Sequence, residues 1–306
     1  MSKSNTSEII WVTGAEGFIG SALVKALSAD DCYVLGFGRM QTNNLFELSS
    51  EGLRAAINRY GIPSKVFHLA GGSSVGYSID FPEQDFSSNV QTTEALIDVL
   101  ADYPSIHCIF ASSAATYGAG HEGMISTSAS LNPTSPYGSN KILAESLLLN
   151  CSRKSGVPIT ICRIFSVFGE GLKKQLIFDA CKRFSGVPPG SQINFGGTGD
   201  EKRDWLYIDD VVFCFRRLER PSAGEVRLYN LGAGVAVTNS DILNRLVSIW
   251  GSNQRIAFSG MPRAGDPLSL VAHPDSLPPG FVVQTPLADG LSFTVNWFKS
   301  KLTEYE

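Results

Sequence analysis

Tyr137 and Lys141 stand four residues apart in Tyr137-Gly-Ser-Asn-Lys141. On a helix that spacing puts a phenol and an ammonium one above the other on the same face. The pairing suits proton chemistry. A free tyrosine, with a pKa near ~10, is a poor base at neutral pH, and a neighbouring cation favours its phenolate. Upstream, Ser113 lies in Ala111-Ser112-Ser113-Ala114-Ala115-Thr116-Tyr117-Gly118, a small-residue turn following the apolar run Ile106 to Phe110. A hydroxyl at that place donates to and accepts from a substrate alcohol as it becomes a carbonyl. Ser112 reads as a polar strand exit.

Such an oxidation needs a hydride acceptor, and the N-terminal segment offers a place for one. Gly14-Ala-Glu-Gly17-Phe-Ile-Gly20 follows the apolar run Ile9 to Val12 and opens a helical pattern from Phe18 to Leu27. The first glycine allows the tight turn and the second lets backbone N–H groups approach a pyrophosphate. The third lets helix pack on strand, and the helix N-terminus adds its positive dipole end. Lys141 is placed to bond the nicotinamide ribose as well. The next strand ends Gly36-Phe37-Gly38-Arg39, with Gly38 where an acid would accept the ribose hydroxyls of NAD. Arg39 can pair a 2′-phosphate, so NADP is expected in preference to NAD.

The elements that must carry these groups alternate. Apolar runs at 9–12, 32–37, 66–70, 106–110 and 159–165 interleave with helical patterns at 18–27, 96–100 and 137–149. This is the pattern of βαβ units. The expected fold is α/β, a Rossmann-type doubly wound parallel sheet with a smaller C-terminal substrate-binding lobe. Residues 1–165 form the dinucleotide-binding domain, with 203–235 returning to it; 166–202 and 236–306 form the lobe. The stretches 186–204 and 261–280, rich in Gly, Pro and polar residues, read as loops.

Bulk properties remove other classes. A net charge of −4 without a basic run argues against nucleic acid. No apolar stretch approaches the ~20 residues that span a bilayer, and the polar start Met1 to Glu8 leads straight into a strand, so neither a membrane nor a signal peptide is expected. Six cysteines without a CxxC pair suit reduced core thiols and a cytoplasmic location. His68, His107, His121 and His273 lack ligand spacing, so no metal is assigned.

Taken together, the glycine turn, His68-Leu-Ala70, Asn89-Val90, Ser112 to Gly118, Tyr137 to Lys141, Arg203-Asp-Trp-Leu-Tyr-Ile-Asp-Asp210 and Arg263-Ala-Gly-Asp-Pro267 give a resemblance through nearly the whole chain. It is to the NAD(P)-dependent epimerase/dehydratase family of extended short-chain dehydrogenases/reductases, the UDP-galactose 4-epimerase-like nucleotide-sugar enzymes. The resemblance implies Tyr137 as acid/base, Lys141 as its electrostatic helper and Ser113 as partner of the substrate hydroxyl. It implies cofactor contacts from Gly14, Glu16, Gly17, Phe18, Ile19, Gly20, Leu69 and Ala70, beside Arg39 and Lys141. Arg203 and Arg263 would hold the nucleotide diphosphate, and Ser166 stands where relatives usually carry Asn beside the sugar.

Two departures bear on the reaction. Dehydratases of the family carry an Asp-Glu pair after the catalytic hydroxyl residue, and Ala114-Ala115 cannot move a proton, so dehydration is disfavoured. His68-Leu-Ala70-Gly71-Gly72 replaces the usual Ala-Ala after the fourth strand. The leading expectation is a nucleotide-sugar epimerase acting through transient oxidation at C4, with a role in polysaccharide biosynthesis. An NADPH-dependent 4-keto-sugar reductase is the alternative, and a catalytically silent NAD(P)-sensing regulator a third reading. A homodimer through the Tyr137 helix and the helix after Asn89 is implied as well, with Leu143 and Leu147 to Leu149 as apolar surface.

Overall fold

The run Ile9 to Val12 forms the body of β1 (Glu8–Thr13), whose last four residues are buried. It leads through the glycine turn into α1 (Phe18–Leu27), which turns Leu23 and Leu27 inward. The computed structural model describes residues 8–30, 32–38, 45–72, 74–262 and 267–302. Next along the chain come β2 (Cys32–Gly38), a three-residue β3 (Leu45–Glu47), α2 (Ser50–Tyr60), β4 (Lys65–His68), α3 (Val75–Asp80) and α4 (Pro82–Phe86). A π turn over Ser87–Gln91 feeds α5 (Thr92–Leu100), followed by β5 (His107–Ser113), a 3-10 turn (Ala114–Thr116), α6 (Pro136–Ser155) and β6 (Ile159–Ile164). β6 is buried at every position and β5 at all but its last, as strands covered on both faces must be.

The remaining elements are β7 (Ser166–Phe168), α7 (Gln175–Ser185), β8 (Gln192–Phe195), β9 (Lys202–Tyr207), α8 (Ile208–Arg217) and β10 (Val226–Leu231). After them come β11 (Ala236–Thr238), α9 (Asn239–Trp250), β12 (Arg255–Phe258), β13 (Ser269–Leu270) and α10 (Leu287–Ser300).

Seven strands form a parallel sheet in the order β10-β6-β5-β4-β1-β2-β3, with helices on its faces. This is the Rossmann-type doubly wound fold. Strand order reverses between β1 and β4, and ligands of such sheets bind outside the carboxyl ends at that switch point. β1, β4 and β5 end there at Thr13, His68 and Ser113. Trp11, Phe37, Leu53, Val66, Leu96, Phe110 and Leu148 lie fully buried between sheet and helices. Each such side chain contributes roughly 1.5–3 kcal/mol, so this layer holds the strand ends rigidly.

The chain divides into two compact units: residues 1–117, 133–163 and 214–229, and residues 118–132, 164–213 and 230–306. Besides the boundary at 163 in place of 165, this differs from the expected division in two segments. Of the segment 203–235, only 214–229 joins the first unit, because β9 pairs with β7, β11 and β13 in the second. Residues 118–132 also belong to the second unit, where Ile125 N donates to Val271 O at 2.7 Å and its carbonyl accepts from Asn230 Nδ2 at 2.8 Å. The two loop-rich stretches are not wholly loop, since β8 and the start of β9 lie in one and β13 in the other. In β8 exposed and buried positions alternate over four residues, too short a period-2 signal to stand out among Gly and Pro. Among the described residues no helix is long and apolar enough to cross a membrane.

Candidate active site

The turn after β1 fits a dinucleotide pyrophosphate. Gly14 adopts φ +66°, and its N–H donates to the Phe37 carbonyl at 2.8 Å, tying the turn to β2. A Cβ on Gly14 would lie 2.8 Å from the backbone of Leu69 and Ala70, and one on Gly20 would overlap the Gly14 carbonyl. Only glycine permits these approaches. Gly17 caps α1 with no side-chain bond to the helix N–H groups, which leaves them available to an anion. Phe18 and Ile19 are half-buried. Glu16 is exposed, and its Oε2 lies 3.3 Å from where a Gly38 Cβ would be. Arg39 and Arg263 lie outside the described residues.

The exit of β4 is pinned to β1 through a buried imidazole. His68 Nδ1 lies 2.8 Å from Thr13 Oγ1 and its Nε2 3.0 Å from Thr93 Oγ1, while Thr13 Oγ1 accepts from Ala70 N at 3.1 Å. Burial, with the charge of Lys141 adding to it, pushes His68 down to about 3. The ring is therefore neutral and structural.

Ser113, Tyr137 and Lys141 come together in the first unit. Ser113 ends β5, and α6 begins after Ser135, whose hydroxyl accepts from Gly138 N at 3.2 Å. Gly138 brings the two elements into contact, because a Cβ there would sit 2.5 Å from the Ala115 carbonyl. The Ser113 hydroxyl lies near enough to the Tyr137 phenol to favour its ionised form, and it accepts from Ala115 N at 3.1 Å. Lys141 Nζ donates to the Ala111 carbonyl at 3.0 Å. It lies 4.8 Å from the Phe110 ring centre and 5.9 Å from that of Tyr137.

Both members of the helical pair are buried, and burial dominates their protonation. It pushes Tyr137 up to about 12 against the opposing effect of the Ser113 hydroxyl, with the Asp85 charge adding to the rise. It pulls Lys141 down to about 8, opposed by Asp85 and Glu145. At neutral pH the pair is thus a neutral phenol beside an ammonium, ready to donate a proton. To accept one, the phenol needs additional positive charge nearby.

Two groups escaped the sequence reading. Glu145, one turn beyond Lys141, accepts from Ser112 Oγ at 2.5 Å and from Arg163 Nε and Nη2 at 3.0 and 2.7 Å. Ser112 is therefore a structural anchor. The spacing from Tyr137 to Glu145 along α6 was the available signal, since positions eight apart share a helix face. Asp85, fully buried on α4, accepts from Asn140 Nδ2 at 2.8 Å, and no local pattern announces it.

In the second unit, Ser166 opens β7, half-buried. Arg203 lies on β9, where its Nη1 donates to the carbonyls of Lys202 and Pro267, each at 2.8 Å. Next to it the buried Asp204 accepts from the backbone N–H groups of Ala233, Gly234 and Ala272 at 2.5–3.0 Å. Burial still pushes its carboxyl up to about 6. Among the described residues no group of three His, Cys, Asp or Glu is arranged to hold a metal ion.

Residues 10–232 match the NAD dependent epimerase/dehydratase family. The chain is 28% identical to a UDP-glucose 4-epimerase of Mycolicibacterium smegmatis, covering 95% of this chain and 98% of that protein. It is 30% identical to a probable dTDP-glucose 4,6-dehydratase of Sinorhizobium fredii, covering 78% and 75%. Among solved structures, the Thermus thermophilus UDP-glucose 4-epimerase in complex with NAD superposes with a TM-score of 0.82 at 25% identity, covering 95% of this chain and 99% of that one. The NADP preference expected from Gly38-Arg39 finds no support among such neighbours, which carry NAD. The chain belongs to the NAD dependent epimerase/dehydratase family.

Proposed function

We propose that this protein is a nucleotide-sugar 4-epimerase working with NAD on a UDP-hexose. One observation carries the reading. Ser113, close to the Tyr137 phenol that lies beside the Lys141 ammonium, is followed in its turn by Ala114 and Ala115, which hold no second acid or base. Elimination of water needs such a second pair, so this reading sets the dehydratase relatives aside.

The turn Gly14 to Gly20, with Leu69 and Ala70 behind it, would hold the cofactor, which when bound supplies the hydride acceptor and donor beside the sugar. Tyr137 accepts the C4 hydroxyl proton as the phenolate, favoured by Lys141 and by the positive nicotinamide. Ser113 holds the same oxygen while it becomes a carbonyl, and Tyr137 returns the proton once the sugar presents its other face. Arg203 and Arg263 would grip the diphosphate as bidentate donors, with Ser166 beside the sugar. Purified protein incubated with UDP-glucose or UDP-galactose should interconvert them without added cofactor. Stoichiometric consumption of a reduced cofactor by a 4-keto sugar, or release of a dehydrated sugar, would overturn the reading.

NAD is chosen on Glu16. Its carboxylate stands against Gly38 at the end of β2, where a negative group accepts ribose hydroxyls and repels a 2′-phosphate. In calorimetric titrations NAD should bind at least about tenfold more tightly than NADP, about 1.4 kcal/mol. Glu16→Gln should narrow the gap, and equal affinities in the wild type would refute the choice. The dimer belongs to the same proposal: Leu143 is 41% exposed on α6, and Val75, Tyr77, Ile79 and Phe81 are exposed on and just after α3. Sedimentation equilibrium at a single chain mass would exclude it.

A further inference from the structure

The pair Gly71-Gly72 makes room for three polar groups. A Cβ on Gly71 would overlap Asn89 Oδ1 and lie 3.1 Å from Lys141 Nζ; one on Gly72 would lie 2.5 Å from Asp85 Oδ1. Asp85 is fully buried. Its Oδ2 accepts from Asn140, its Oδ1 has no hydrogen-bond partner, and no ion pair among the described residues includes it. An isolated carboxylate taken out of water is strongly disfavoured unless a nearby cation offsets it. Asn140, which holds it, immediately precedes Lys141 on α6.

We propose that Asp85 is a positioning residue for the Tyr137–Lys141 pair: its carboxylate is the counter-charge that holds the buried Lys141 as an ammonium, and position 72 is glycine to admit it. This rests on the reading of Tyr137 and Lys141 as the proton-handling pair.

The surroundings of Lys141 single Asp85 out. On its own helix Lys141 faces Tyr137 and Glu145; β4 presents His68, β5 the Phe110 ring and the Ala111 carbonyl, and α4 presents Asp85. His68 is neutral. Glu145 is engaged by the bidentate Arg163 guanidinium, which cancels most of its field. Asp85 is left as the anion that answers the ammonium. Burial lowers Lys141 to about 8 and Asp85 is the first of the groups opposing that fall; the same charge raises Tyr137. Removing it therefore lowers both. The two limbs of the activity profile, which these two groups set between them, then move to lower pH together. A residue that merely supports the fold lowers the plateau and leaves the limbs in place.

Asp85→Asn keeps the shape and deletes the charge. Its kcat–pH profile for UDP-glucose interconversion should be displaced to lower pH by about one unit, a roughly tenfold loss on the alkaline limb. Gly72→Ala retains the carboxylate but forces it aside, and should displace the profile in the same direction. An ultraviolet titration of the Tyr137 phenolate in the NAD-loaded protein, assigned by difference from Tyr137→Phe, reads the same displacement whichever sugar is the substrate. Superimposable limbs and phenolate titrations in wild type, Asp85→Asn and Gly72→Ala would overturn the proposal. Full turnover in Tyr137→Phe would instead overturn the reading on which it rests.

Discussion

Tyr137→Phe should lower kcat with a UDP-hexose by roughly 10²–10⁴-fold, the usual worth of a positioned acid/base, with little change in NAD affinity. The substitution removes one oxygen from a side chain that is 8% exposed. The ring stays, and with it the packing beside the Lys141 ammonium. Ser113 loses a polar neighbour but keeps the bond from Ala115 N, so the loss of stability stays at or below that of a single hydrogen bond, about 1 kcal/mol. What disappears is the group that, in the proposed reaction, takes a proton from the sugar and gives it back. Residual turnover in the variant should also lose one limb of its pH profile, since no phenol remains to titrate. Calorimetry with NAD and a stopped assay with UDP-hexose separate the outcomes. Turnover within a few-fold of wild type would remove Tyr137 from the chemistry and revive a cofactor-sensing role for the chain. Loss of NAD binding together with turnover would mark the residue as part of the cofactor cradle instead.

Which parts of this site a sequence can reveal follows from the range of the interactions. Gly14 to Gly20 and Tyr137 to Lys141 are set by spacings of three and four residues, and such spacings are visible without a fold. Ser113 is legible because it follows an apolar strand. The strand itself runs on to Ser113, since Ala111, Ser112 and Ser113, poor in β propensity, are held by the ladder of neighbours rather than by their own preference. The helix of Tyr137 likewise runs past Leu149 to Ser155. Its last turn is largely polar and shows no apolar period, and it stops only where Gly156 takes φ +75°. Asp85 and Asn140 are 55 positions apart and Ser112 and Glu145 are 33 apart. Pairings of that range depend on which strands are neighbours. Glu16 illustrates the same limit. The missing acid at Gly38 was plain in the sequence, whereas a carboxylate from the preceding turn fills that space only in three dimensions.

Glu145→Ala should destabilise the protein by about 3–5 kcal/mol, the range for breaking a buried ion pair from one side. The carboxylate and the Arg163 guanidinium have side chains only 5–6% exposed. They meet through two parallel bonds, and the guanidinium lies 4.9 Å from the Tyr117 ring centre. Removing Glu145 strands that cation in the interior and leaves the Ser112 hydroxyl without its acceptor. The loss is mostly the cost of the orphaned charge, so it should not add to that of Arg163→Met. Glu145→Met with Arg163→Met should recover most of the stability, because an apolar pair of similar volume replaces a buried ion pair at little cost. Thermal melts of the two single variants and the double give the coupling directly. The double variant also separates stability from catalysis. Glu145 joins α6 to β5 through Ser112 and to β6 through Arg163, fixing the helix that carries Tyr137 against the strand that ends in Ser113. With those bonds replaced by non-directional packing, Tyr137 is free to shift along the strand end. A displacement of about 1 Å is enough to cost on the order of 10²-fold in a proton transfer. The double variant should therefore melt near wild type yet turn over at least about tenfold more slowly, with KM little changed. Wild-type kcat in a stable double variant would confine the pair to holding the fold. A slow but stable one would show that the directional bonds behind the strand set the geometry in front of it.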